Sequence, residues 1–495
     1  MKTNTLCLEN PATAGTHVQY ALQLKMPETT GETRLPVHFI LLMDVSESML
    51  DRNKHENVKH SAGLVLKFLG PTDYMSIITF GEKGKIQCNA VRCDASGKST
   101  IESILQTIHV DGCTNLSAGL SLVKSVMSEF TSSVKTGVLL LTDGHANRGV
   151  YSPIGLKQII KTIHEQFPAL SFNYVGYGTD HNSELLKDMA EQTQSGYTVV
   201  EDVEGASTVI GDTLGGLFSC AAQMVTVFAP AGTKTLGQFQ ISVDGKIEVG
   251  DLYDGSETVI LLSIPKESVR EQLKIMGVQM PSLHAIQEVV DLEEWTDGVE
   301  TPGASHFRIS VDLTGLRYQC SSFFRRMRHM DLNGLSEDIQ AFRTKVFQEC
   351  YNDNPVAMML REECISLETA FANAQQSRIG RRAAAGYIAQ VTQHEAYTNL
   401  GRGVTRAFTV APEPEDPVNP AHVHFNGQSL RPPPIGPLRA MTSMYVTTPF
   451  SSHTARRVTN AISTMTVAPN DPDAIHEAMM FSQSADGDAH TASNE

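Results

Sequence analysis

The stretch Val37-His38-Phe39-Ile40-Leu41-Leu42-Met43-Asp44-Val45-Ser46-Glu47-Ser48 is an apolar run that stops at a carboxylate followed by hydroxyls at alternate positions. A run of this length bounded by polar residues reads as a strand buried on both faces, the usual state of a parallel sheet. Ligands of open α/β sheets bind beyond the carboxyl ends of the strands. Asp44, Ser46 and Ser48 therefore stand in a loop where a small hard cation could sit.

Two further stretches follow in order. Gly112-Cys113-Thr114-Asn115-Leu116 opens a helical pattern at Leu116, Leu120, Val123, Val126 and Met127, and Val138-Leu139-Leu140-Leu141-Thr142-Asp143-Gly144 is a second apolar run ending in a carboxylate. Asp and Ser also cap helices and fill turns, so a lone Asp-x-Ser-x-Ser carries little weight. Three such features, each at a strand end or helix start, carry far more.

The combination resembles the von Willebrand factor A domain and its metal-ion-dependent adhesion site. That resemblance implies a metal set of Asp44, Ser46, Ser48, Thr114 and Asp143, with Glu47, Asn115, His145 and Asn147 on the rim. It implies Mg2+ as cofactor, or Mn2+, since oxygen ligands suit both. It also implies a protein partner whose Asp or Glu completes the shell. Where relatives have two glycines before the Thr, this chain has Gly112-Cys113; a positive φ at Cys113 would strain the loop. The helix Gly211–Ser219, with Gly215-Gly216, is similar to the intracellular subgroup that includes the A domains of plant RING ubiquitin ligases, but no cysteine-histidine array for a RING is present.

Outward from these motifs, residues 35–221 alternate strands with helices, the pattern of a doubly wound, mainly parallel α/β sheet. Val18, Tyr20, Leu22, Leu24 and Met26 alternate as in a half-buried strand. Over 222–322 short alternating stretches (224–228, 237–243, 259–264, 306–312) predict a small antiparallel β-sandwich, which the N-terminal strand of 1–34 would join. The A domain would then be an insertion in the sandwich, as in relatives of this kind. Residues 323–400 have helical periodicity, opened by Arg325, Arg326 and Arg328, which read as a solvated helix start. In 401–495, eight prolines lie between Pro412 and Pro437, and the composition predicts an extended or disordered tail that could dock on a neighbour.

A length of 495 residues is compatible with two to four domains, and 41% apolar content supplies several cores. The formal charge of −16 argues against nucleic acid as a partner. No secretory leader pattern and no run of 18 apolar residues is evident, so a cytoplasmic protein without a membrane span is expected. The eight cysteines have no Cys-x-x-Cys spacing and read as buried thiols.

An enzyme is not expected. A dehalogenase-type nucleophile needs a second acid two residues after Asp44, where Ser46 stands. His38 lies inside the strand, His145 is in another loop with no orienting acid, and no Walker-type glycine loop is present. Two other readings stay open. One is a scaffold component of a multi-subunit or viral-type particle, with sandwich, helices and tail making the contacts. The other, by family analogy, is a substrate-recruiting subunit of a ubiquitin ligase.

Overall fold

Both faces of the stretch 37–44 are apolar, so a fold built on it must cover each of them, and helices do so. The computed structural model describes residues 1–376 and 452–483, apart from 29–33, 35, 131, 133, 144, 179, 180, 194, 201, 202, 238, 293 and 295–301. After β1 (Lys2–Cys7) and β2 (His17–Lys25), the chain forms a six-stranded sheet from β3 (Val37–Asp44), β4 (Tyr74–Phe80), β5 (Gly84–Arg92), β6 (Lys135–Thr142), β7 (Ser171–Tyr177) and β8 (Gly196–Val200). Its order is β5-β4-β3-β6-β7-β8, parallel except for β5.

Phe39, Leu41 and Met43 face one core, with α1 (Lys54–Phe68), α2 (Ala95–Thr107) and, at the end of the domain, a helix over 203–218. Ile40 and Leu42 face the other, with α3 (Leu116–Glu129), α4 (Pro153–Gln166) and α5 (Ser183–Gln192). The last helix is α6 (Val203–Phe218). Asp94, Asn115, Ser152 and Asn182 cap α2 to α5 with side-chain oxygens, and Pro153 follows its cap in the first turn of α4.

The sandwich adds β9 (Cys220–Phe228), β10 (Lys234–Leu236), β11 (Lys246–Tyr253), β12 (Glu257–Pro265), β13 (Leu273–Gln279) and β14 (Ala285–Val290). Its antiparallel sheets run β1-β2-β12-β10 and β11-β9-β13-β14. Val18, Tyr20, Leu22, Leu24 and Met26 all face its core, opposite Val225, Val227, Ile247 and Ile275. Since the chain leaves this sandwich after β2 and returns at β9, the α/β domain is an insertion within it.

Three sequence expectations change. Residues 306–312 are not a strand; they lie in α7 (Pro302–Arg328), because Phe307 and Val311 are also one helical turn apart and pack together against Val259 and Leu261 of β12. Among the described residues of 237–243, the expected strand reduces to a bridge between Ile241 and Ile247, and the strand beside β12 on the side away from β2 is β10. Arg325, Arg326 and Arg328 end α7 rather than start a helix, where positive charge complements the helix dipole; Arg326 pairs with Asp331 and Asp338. The edge strand β5 escaped the sequence reading because it is only half-buried and irregular, with Ala90 at φ 45°.

Behind α7, α8 (Leu335–Val346) and α9 (Pro355–Gln376) complete a helical unit with its own core. The expected extended tail is corrected in part: α10 (His453–Val467) and α11 (Pro472–Gln483) form a helical hairpin on the α/β domain. Helix α10 has strong amphipathic spacing, with Val458, Ala461, Ile462 and Met465 buried, and an N-cap at Ser452. The remaining expectations for 377–451 and 484–495 lie outside the described residues.

Candidate metal centre

Strands β3 and β6 are neighbours at the point where the sheet's connectivity switches direction; β3 ends in Asp44 and β6 is followed at once by Asp143. Asp44 is wholly buried at the end of β3. Its Oδ1 accepts from the backbone N–H of Ser46 at 2.9 Å, and its Oδ2 from the Thr142 hydroxyl at 2.5 Å. Burial lifts the Asp44 carboxyl to about 6; the Thr142 and Ser46 hydrogen bonds oppose the rise, and nearby Asp143 adds to it. Ser46 and Ser48 bring their hydroxyl oxygens to 3.1 Å from each other.

Asp143, immediately after β6, is also buried. Its Oδ2 lies 3.5 Å from Lys54 Nζ, and its Oδ1 has no hydrogen-bond partner among the described residues. A buried carboxylate oxygen left unpaired is costly, so a cation is the natural complement to it. Thr114 is buried at the mouth of α3.

Backbone hydrogen bonds lace the three loops together. Asp111 N–H donates to Val45 O, Glu47 N–H to Gly112 O, and Asn147 N–H to Thr114 O. Gly112 takes the left-handed conformation, at φ 60°, while Cys113 is not among the residues with positive φ. The departure from the paired glycines therefore imposes no backbone strain at Cys113. A hydrogen bond to Glu82 raises the Cys113 thiol, and Arg148, 2.7 Å from Glu82, holds that carboxylate below its ordinary range.

Of the rim residues, Glu47, His145 and Asn147 are exposed and Asn115 half-buried. Asn115 and Asn147 also fasten the loops: Asn115 accepts from Ala118 N–H, and Asn147 Oδ1 from Thr114 N–H. Sequence reading missed Lys54 and Thr142. Lysine is unfavourable in the first turn of a helix, and the neighbouring Asp143 accounts for a buried one at the start of α1. Nothing local marked Thr142 as the residue that orients Asp44.

The donors are two buried carboxylates and three hydroxyls, an all-oxygen set that fits Mg2+ or Mn2+. Among the described residues no three His, Cys, Asp or Glu side chains gather as a metal site, and no helix is long and apolar enough to cross a membrane.

Comparison with known proteins agrees with this fold. The chain is 23% identical over 240 residues to YfbK of Escherichia coli (strain K12), a match spanning 46% of this chain and 41% of that protein. It is similar in fold to a von Willebrand factor type A protein from Catenulispora acidiphila (TM-score 0.53, 14% identity, 76% of this chain and 89% of that one). It is also similar to the ArnB paralog VWA2 from Sulfolobus acidocaldarius (TM-score 0.51, 16% identity, 80% and 98%). Residues 39–145, within the inserted α/β domain, match the family model of the von Willebrand factor type A domain.

Proposed function

We propose that this chain is a non-catalytic, intracellular protein-binding module that takes an acidic side chain of its partner at a Mg2+ or Mn2+ held by Asp44, Ser46, Ser48, Thr114 and Asp143. The observation that carries this reading is the buried Oδ1 of Asp143, without a hydrogen-bond partner among the described residues, beside the fully buried Asp44 at the ends of adjacent strands. When bound, the cation supplies the attraction for an outside carboxylate. The chain's own residues keep the donors in place: Thr142 and the Ser46 amide orient Asp44, and Asn147 fixes Thr114.

Nothing at the site supports a nucleophile. His38 is buried in β3 against Ser76, and His145 is exposed on a different loop. A scaffolding role is the second reading, favoured by the C-terminal hairpin that returns across the chain to close the A domain. Recruitment to a ubiquitin ligase has less support, because Gly215 of the glycine pair that prompted it has a packing role against Ala455.

Thermal unfolding with EDTA and then with millimolar Mg2+ or Mn2+ tests the metal. A ligand of the native state stabilises it by about 2.7 kcal/mol at a hundredfold excess over Kd. The midpoint should rise in the wild-type chain and stay fixed in Asp44→Ala and Thr114→Ala. An equal rise in all three, or none in the wild type, would remove the metal from the reading.

A further inference from the structure

Among the described residues of the α/β domain, the exposed large apolar side chains all lie beside the candidate metal loops. Leu50, Val150, Tyr151 and Ile154 are 61%, 44%, 62% and 80% exposed, and no other large apolar side chain described between residues 37 and 218 is comparably open. All four lie on loops that carry the site or on the helix start next to it. Leu50 follows Ser48 by two residues. Val150 and Tyr151 end the loop that begins at Asp143, and Ile154 opens α4.

This crest is fixed in place by hydrogen bonds. Asn147 N–H donates to Thr114 O at 3.0 Å, Val150 N–H to Ser117 Oγ at 3.0 Å, and Ser152 Oγ caps α4 by accepting from Gly155 N–H at 3.2 Å. Gly149 takes φ 64° so close to Asn115 and Ser117 that a Cβ there would overlap both side chains. A preorganised loop loses little entropy on binding. The Arg148–Glu82 pair, largely open to solvent, supplies a polar margin. Exposed apolar side chains gathered within a polar rim mark interaction surfaces.

We infer that the face reads two features of one partner: a carboxylate, and a bulky apolar side chain next to it that covers Tyr151, Ile154 and Val150. The occupant is thus a protein segment with Glu or Asp flanked by Leu, Phe or a similar residue. This inference rests on the metal-dependent reading for the carboxylate and on the crest for the flank, and the two separate experimentally.

Fluorescence anisotropy with two labelled hexapeptides makes the test on the full chain in Mg2+. One peptide has a single glutamate between leucine and phenylalanine; in the other the glutamate lies between two serines. The apolar-flanked peptide should bind about tenfold more tightly or better, the scale of covering one large apolar side chain. Tyr151→Ser with Ile154→Ser should abolish that advantage and leave the serine-flanked peptide unchanged. EDTA should release both. Metal-dependent binding without preference would overturn the inference and leave the proposed function standing. A preference that survives EDTA but is lost in the serine variants would support the crest while refuting the metal. Binding of neither peptide, with dimerisation of the chain lost in the serine variants, would assign the crest to a second copy and overturn the inference.

Discussion

His38 is wholly buried near the start of β3, its Nε2 2.8 Å from Ser76 Oγ and its ring 4.2 Å from that of Phe130. Burial pushes its pKa down to about 3. The unfolded chain takes up that proton near pH 6.5, so between about 6.5 and 3 the unfolded state binds more protons than the native one, and stability falls as the pH drops. His38→Leu should therefore lose about 2 kcal/mol less than the wild type between pH 7 and pH 5, read from urea unfolding. Equal losses would mean that His38 is protonated in the native protein. The sequence placed His38 inside the strand but showed none of this, because its solvation is decided by Ser76 and Phe130, far away in the chain. The metal residues differ in that respect. Asp44, Ser46 and Ser48 share one loop, and their spacing is a local signal. Lys54 and Thr142 owe their roles to a tertiary meeting with Asp143 and Asp44, and no local pattern announces such a meeting.

Among the elements, α6 and α10 show best where local pattern misleads. Gly215-Gly216 looks like a family mark, yet its first member is a matter of packing: a Cβ at Gly215 would come within 2.5 Å of Ala455 Cα, and one at Gly211 within 3.0 Å of Thr459 Cα. The two helices lie antiparallel and close, which small residues permit, and Thr208 and Ser463 share a hydrogen bond of 2.9 Å. Gly215→Val should cost about 1–3 kcal/mol by overpacking. The strain should fall on the hairpin, so amide exchange over 453–483 should quicken while the sandwich strands keep their protection. Gly216→Ala, whose added Cβ meets nothing nearer than Tyr253 at 3.6 Å, is the control and should leave exchange unchanged. Similar exchange in Gly215→Val and wild type would show that the helices part without loss. The strands of the α/β domain were legible because buried parallel strands are continuous apolar runs. Helix α7 was not, since Phe307, Ile309 and Val311 satisfy a twofold alternation while Phe307 and Val311 also satisfy the helical one, and only the covering sheet decides between them.

At the scale of the molecule, the α/β domain cannot be read as an independent unit, because part of its core comes from residues 453–483. Val458, Ile462, Met465 and Phe481 are buried in the same cluster as Phe39, Leu41 and Met43 of β3's side of the sheet. Arg34 ties the two ends together: it grips Asp73 through Nη1 and Nη2 of its guanidinium at 2.8 and 2.6 Å, donates to Phe481 O at 3.1 Å and lies 3.8 Å over the Phe218 ring. Burial of each large apolar side chain is worth roughly 1.5–3 kcal/mol, a large share of the 5–15 kcal/mol by which a domain is usually stable. A fragment of residues 34–219 should therefore melt broadly and bind a hydrophobic dye such as ANS, since the faces of α1 and α6 would be bare. Ala455 packs against Gly215 near the end of α6, so a short Gly-Ser linker from residue 219 can reach residue 452. Joined in that way to 452–483, the fragment should regain a single sharp transition and lose its dye binding. Identical melts with and without the hairpin would make it a passenger on a self-sufficient domain, and would leave α10 and α11 free to serve a different partner.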